Sequence, residues 1–194
     1  ELLYAAGAGD RVVGVTEYCD YPPEAVRKTK IGGFSNPNLE QIVALQPDLV
    51  LAARFNPLDV LEGLRRLDIP VFALAPQTLE EVLQTLHQVG RLSGQEEAAQ
   101  KSEAALRARV EAVQKAVEDL SAGARLRVLW GQLEAPMYTA GPGSFIDDLI
   151  RLAGGINIVH DVGANWPQIG LETIVARNPE VIVVSSGAPE SIGK

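Results

Sequence analysis

A chain of 194 residues that is 46% hydrophobic can fill ordinary globular cores, as one large domain or two small ones. Its net charge of −8 argues against nucleic acid, whose binders need a basic face, and no apolar run approaches the roughly 18–20 residues of a membrane span. The single cysteine, Cys19, excludes an internal disulfide and says little about redox compartment.

The opening run Glu1-Leu2-Leu3-Tyr4-Ala5-Ala6-Gly7 reads as the tail of a helix that stops at glycine. Residues 191–194 complete no element. Both ends therefore suggest a piece of a longer chain, with targeting information outside it. Residues 12–15 form a first aliphatic strand. Tyr18 to Pro23 reads as an exposed loop carrying two tyrosines, because the residue before a proline is driven out of the helical region. Residues 24–30 read as a short polar link. The loop Gly32-Gly33-Phe34-Ser35-Asn36-Pro37 leaves Phe34 outside any strand or helix. Asn38 fits an N-cap for the helix that follows, with Gln41 as its capping-box partner.

A strand over 48–52 leads to the loop Arg54-Phe55-Asn56-Pro57. A helix over 58–67, a strand over 70–74 and a helix over 78–92 follow, the last opened by the Thr78/Glu81 capping box. Alternating strands and helices predict an α/β lobe with a largely parallel sheet. From about 95 to 120 there is neither glycine nor proline, and Leu106, Val110, Val113, Val117 and Leu120 recur at four-three spacing. That narrow stripe predicts a helix lying across a surface, roughly 40 Å long at 1.5 Å per residue. A second lobe begins with a strand over 126–130 and a short strand or edge over 136–140. Ser144 caps a helix over 145–152, which Gly154-Gly155 stops. Residues 160–168 form a loop holding Trp166-Pro167.

The second lobe ends on a repeat of the first. Residues 39–52, LEQIVALQPDLVLA, return at an offset of 132 as residues 171–184, LETIVARNPEVIVV. Each copy reads as a short helix, a proline stop and a buried parallel strand. Phe34 and Trp166 each stand five residues before their copy, so each half places an aromatic ring in the loop entering its repeated helix. The domain organisation expected is a lobe over 1–93, a connecting helix over 94–122 and a second lobe over 123–194.

Aromatic residues are only 5% of the chain, yet Tyr21, Phe34, Phe55, Tyr138 and Trp166 all fall in loops or at strand ends. Ligands of doubly wound sheets bind beyond the C-terminal ends of strands, and aromatic faces with few charges suit a large, flat, partly apolar ligand. Each ring has the plainer reading of capping a core. Glu40 and Glu172 lie in the first turns of the repeated helices. Easing the helix dipole explains them adequately; two matched surface carboxylates also make a two-point dock for a basic partner. His87 and His160 belong to no ligand-spaced cluster, so a protein-built metal site is not expected, and no G-x-S-x-G elbow marks a catalytic serine. Gly141-Pro142-Gly143-Ser144 reads as a turn with a serine cap in preference to an anion cradle.

Val13-Gly14-Val15, Asp20-Tyr21-Pro22-Pro23 and the run from Asn38 to Leu45 with Pro47-Asp48-Leu49-Val50 resemble the substrate-binding proteins of ABC importers for vitamin B12, haem and ferric siderophores. Trp166-Pro167-Gln168 and Gly154-Gly155-x-Asn157 look most like the vitamin B12-binding member. The resemblance covers nearly the whole chain. It implies two Rossmann-like lobes joined by one long helix, the class III periplasmic binding fold, without the family's first strand and C-terminal helices. It implies an extracytoplasmic binding protein, not an enzyme, with a corrinoid held between the lobes and haem or a ferric siderophore as the alternative. Tyr21, Phe34, Tyr138 and Trp166 match cobalamin-contacting positions. Phe34 and Ala53 stand where the vitamin B12-binding member has tryptophans, and Phe55 is near enough to substitute for the second. Glu40 and Glu172 match the two glutamates that dock into arginine-lined pockets of the permease. The same resemblance implies a monomer with no cofactor of its own, periplasmic or extracellular, reaching the membrane through the permease or a lipid anchor. A chelatase-like enzyme, the third alternative, would require a basic or metal-binding histidine in the cleft, and neither histidine falls at a matched position.

Overall fold

The computed structural model describes residues 1–53, 56–131 and 136–184. It divides into two compact units, one of residues 1–76 and 82–104, the other of 77–81 and 105–194.

In the first unit α1 (Leu2–Ala5) ends at Gly7, whose φ of 81° is the left-handed stop expected of a terminal glycine. Strand β1 (Gly14–Val15) pairs in parallel with β2 (Thr29–Lys30), and β3 (Val50–Ala53) pairs in parallel with β4 (Val71–Leu74). The sequence reading of 24–30 as a plain link needs correction. Pro23 opens a one-turn helix, α2 (Pro23–Val26), and β2 follows it. Proline at the first helical position fits because its missing N–H has no intrahelical partner there. Two half-exposed strand residues carry no periodic signal.

Helix α3 (Leu39–Ala44) begins under Asn38, whose side chain accepts from the Gln41 N–H at 3.0 Å. It stops where Gln46 turns left-handed, φ 48°, ahead of Pro47. Helix α4 (Leu58–Arg66) supplies the crossover that parallel strands β3 and β4 need. A Cβ on Gly63 would lie 2.6 Å from the Leu39 side chain, so glycine there lets α3 and α4 approach. Leu64, Leu83, Leu86, Val89 and Ala99 are buried. A cavity of about 280 Å³ is lined by Gly14 of β1, Val50 and Leu51 of β3 and Ile42 of α3, with Val13 and Ile31 beside the first strand pair.

Helices α5 (Leu79–Leu92) and α6 (Glu96–Val117) run through both units. Thr78 caps α5 through the Glu81 N–H, and the Glu81 carboxylate accepts from the Gln77 N–H. The start of α5 belongs to the second unit for two reasons. Asp148 accepts from the Leu79 N–H at 2.9 Å, and Glu80 makes a bidentate pair with Arg107 on α6 at 2.6 and 2.8 Å.

The second unit is built on a three-stranded parallel sheet, with β5 (Arg127–Trp130) between β6 (Ile156–Asn157) and β7 (Val181–Val183). Leu129, Ile158 and Val159 are buried, with Val162, Ile169 and Ile174 packed on them. Helix α7 (Phe145–Leu152) starts under Ser144, whose buried hydroxyl accepts from the Asp147 N–H at 3.2 Å and donates to the Gly141 carbonyl at 2.7 Å. Helix α8 (Leu171–Arg177) leads into β7 as α3 leads into β3, and it too ends on a left-handed residue before proline, Asn178 at φ 44°. The two copies differ in cover: Leu39 packs on α4, whereas Leu171 and Val175 are exposed.

Candidate functional site

In the first unit the loops after β1 and β2 are tied to each other. Lys30 donates to the Cys19 carbonyl at 3.0 Å and reaches that of Thr16 at 3.5 Å. The Glu17 N–H donates to the Gly32 carbonyl at 3.0 Å. Tyr21, which precedes a cis proline, is 65% exposed at the end of the first loop. Phe34, in the second, is 40% exposed. Its backbone is fixed by Asn56, whose amide donates to the Phe34 carbonyl at 2.9 Å and accepts from the Ala53 N–H at 2.6 Å. Asn56 thereby joins Phe34's loop to the C-terminal end of β3. Gly32 holds φ 91°, and a Cβ there would lie 2.7 Å from the Asn36 carbonyl, so this turn demands glycine. Phe55 lies outside the described residues.

In the second unit Tyr138 and Trp166 share one antiparallel ribbon. Ile169 N–H donates to Met137, Thr139 N–H to Pro167, and Gly141 N–H to Asn165, at 3.0, 3.0 and 2.8 Å. Tyr138 stands opposite Gln168, and Ala140 opposite Trp166. Side chains two apart on a strand share a face, so Tyr138 and Trp166 lie on the same side of the ribbon. The two residues are 46% and 48% exposed. Behind Trp166 stands Trp130, the last residue of β5, edge to face with it at 5.7 Å between centroids. A side chain at Gly141 would collide with the Ala164 carbonyl and crowd Pro167, so the ribbon closes only on glycine.

The turn between β6 and α8 is clamped from α8. Arg177 donates to the Ile158 carbonyl and to the Asp161 carboxylate, and this partner holds the Asp161 carboxyl below its ordinary value. His160 makes a 2.9 Å contact from Nδ1 to the Asn157 carbonyl. Among the described residues no group of three histidines, cysteines or carboxylates could hold a metal, and no helix is long and apolar enough to cross a membrane. Glu40 and Glu172 are both exposed in the first turns of α3 and α8.

Each described aromatic candidate thus follows a parallel strand: Tyr21 after β1, Phe34 after β2, Tyr138 after β5 and Trp166 after β6. Three contributors escaped the sequence reading. Trp130 looked like a strand residue, Asn56 like a loop residue beside a proline, and Asn157 like one letter of a glycine-glycine motif. Their roles come from partners 22, 36 and 17 residues away in sequence for Asn56, Trp130 and Asn157, respectively.

Residues 1–192 match the model of the family described as periplasmic binding protein. A vitamin B12-binding protein of Vibrio campbellii is 32% identical over 194 residues, covering 100% of this chain and 70% of the relative. The crystal structure of the periplasmic vitamin B12-binding protein of Vibrio cholerae superposes with a TM-score of 0.82 at 30% identity, over 96% of this chain and 72% of that one. A periplasmic haem-binding protein from Roseiflexus sp. RS-1, in apo form, gives 0.87 at 27% identity, over 100% and 75%.

Proposed function

Because the chain belongs to the periplasmic binding protein family, we propose that it is the extracytoplasmic substrate-binding protein of an ABC importer and that its ligand is a corrinoid of the vitamin B12 type. The observation that carries this reading is the ribbon of the second unit. It holds two half-exposed aromatic rings, Tyr138 and Trp166, on one side and backs one of them with a second tryptophan. Rings supported behind and open in front lose little conformational entropy on contact with a flat ligand. Tyr21 and Phe34 are the rings of the first unit assigned to the same ligand, and Phe55 joins them from outside the described residues. Two relatives that are 30% or more identical, of Vibrio campbellii and Vibrio cholerae, are named vitamin B12-binding proteins. Glu40 and Glu172 dock the loaded protein onto the permease. The protein acts as a monomer without catalytic residues or a cofactor of its own, outside the cytoplasm.

The second reading is haem, supported by the haem-binding neighbour at TM-score 0.87; a ferric siderophore belongs to the same class. Titration of the protein with cobalamin, haemin and a ferric siderophore, followed by absorbance of the loaded protein after gel filtration, separates the three. Retention of a corrin spectrum at a one-to-one ratio is expected. A haem spectrum would move the ligand to the second reading, and retention of none would sink the corrinoid assignment.

A further inference from the structure

The ribbon that carries Trp166 is incomplete by its own sequence. Pro167 has no N–H, so its pair with Thr139 forms one hydrogen bond where an antiparallel pair ordinarily exchanges two. A short two-stranded ribbon is marginal without further support. Here Thr139 also bridges Gly131 and donates its hydroxyl to the Trp130 carbonyl, and further support comes through Ala140. The Thr139 and Gly141 N–H groups face the strand of Trp166, so the Ala140 carbonyl faces away, and there it accepts from the Asn157 side-chain amide at 2.7 Å. Ala140 is the residue directly across from Trp166, in the kind of pair that brings side chains closest.

Asn157 is only 2% exposed. Its amide nitrogen also donates to Asp147 Oδ1 at 2.8 Å, and its oxygen accepts from the Val159 N–H at 3.2 Å. One side chain therefore links β6, the first turn of α7 and the ribbon. Leucine or valine would fill the same volume without three directional contacts. A buried polar group whose donors are both used fixes a geometry that apolar packing leaves looser.

We infer that Asn157 is a positioning residue for the ligand wall: through Ala140 it sets where the Trp166 ring stands against Trp130. The inference rests on the reading that Trp166 touches the ligand, but its first test needs no ligand. Trp130 and Trp166 are the two tryptophans of the chain, so an exciton couplet in circular dichroism reports their edge-to-face contact alone. Trp166→Phe supplies the spectrum without it.

Asn157→Leu removes the amide, and Asn157→Leu with Asp147→Leu removes it without orphaning the buried carboxylate, which protects the fold if the single change does not. Ile150→Ala, in the core of the same unit, controls for general destabilisation. In the unliganded protein both Asn157 variants are expected to lose the couplet, and Ile150→Ala to keep it while melting at lower temperature. In cobalamin titrations the Asn157 variants are expected to bind at least tenfold more weakly, with Ile150→Ala unchanged. A retained couplet in the folded double variant would overturn the inference. So would a lost couplet with unchanged cobalamin affinity, provided Trp166→Ala does weaken binding. If Trp166→Ala leaves affinity unchanged, the assignment of the wall to the ligand is what fails, and the ligand role of Asn157 falls with it.

Discussion

Trp130 and Trp166 meet edge to face, with ring centroids 5.7 Å apart and planes at 67°. One closes strand β5; the other sits on a ribbon entering α8. The contact makes Trp166 a supported surface and not a loose loop residue, while leaving the residue about half exposed.

Trp166→Ala is therefore expected to weaken corrinoid binding by about 1–3 kcal/mol, the range for an aromatic anchor at a binding hot spot. Stability should fall by less, about 1 kcal/mol, the worth of one aromatic pair. Calorimetric titration and thermal melts on the same variant decide it. Unchanged affinity together with a large drop in melting temperature would make Trp166 a core residue.

The two helix caps should differ in cost. Asn38 is exposed and satisfies one N–H of α3, so Asn38→Ala should cost about 0.5–1 kcal/mol. Ser144 is buried and bonds both Asp147 N–H and the Gly141 carbonyl, so Ser144→Ala should cost about 1–2 kcal/mol. Urea denaturation of the two variants ranks them. Equal losses would show that burial adds nothing to the cap.

Asp161 gives the stability a pH dependence of known sign. The Arg177 guanidinium, as its hydrogen-bond partner, holds the carboxyl below its ordinary value of 3.8. A depressed carboxylate contributes stability that is present above its unfolded-state value and lost as pH falls through the lower folded-state value. The melting-temperature gap between the protein and its Asp161→Asn variant should be full at neutral pH, narrow below about pH 4 and close at lower pH. The gap should be small, because the pair is solvent-exposed. A gap that widens on acidification contradicts the assignment.

Glu40 and Glu172 stand exposed at equivalent places in α3 and α8. Easing the helix dipole predicts only a loss of about 0.3–1 kcal/mol of stability for each change to glutamine. Docking predicts something separable: Glu40→Gln with Glu172→Gln should leave ligand affinity intact while uptake by the reconstituted importer drops sharply. Residual docking should be less salt-sensitive, since exposed charges are screened within about 8–10 Å at physiological ionic strength. Wild-type uptake by the double variant would leave the dipole as the whole explanation.

The sequence by itself determined what depends on neighbours a few residues away. Ser144 and Gly154 bracket α7, residues 145–152, because a cap and a left-handed glycine act within one turn. The 14-residue repeat at an offset of 132 foretold two helices that stop before proline and feed parallel strands, and the structure adds that Gln46 and Asn178 each turn left-handed at the equivalent position. The two-lobed α/β family was legible from the same runs. Strands β2 and β6 were not, because two residues set no period. Nor was the alliance of residues 137–141 with 165–169, which hydrogen-bonds backbone groups and leaves no mark in side-chain pattern. Only the tertiary structure decided that Trp166 leans on Trp130, that Asn56 holds Phe34's loop and that Asn157 holds the residue facing Trp166. Each is a contact between residues far apart in the chain, fixed by how strands and turns pack and not by any local preference of the residues that make it.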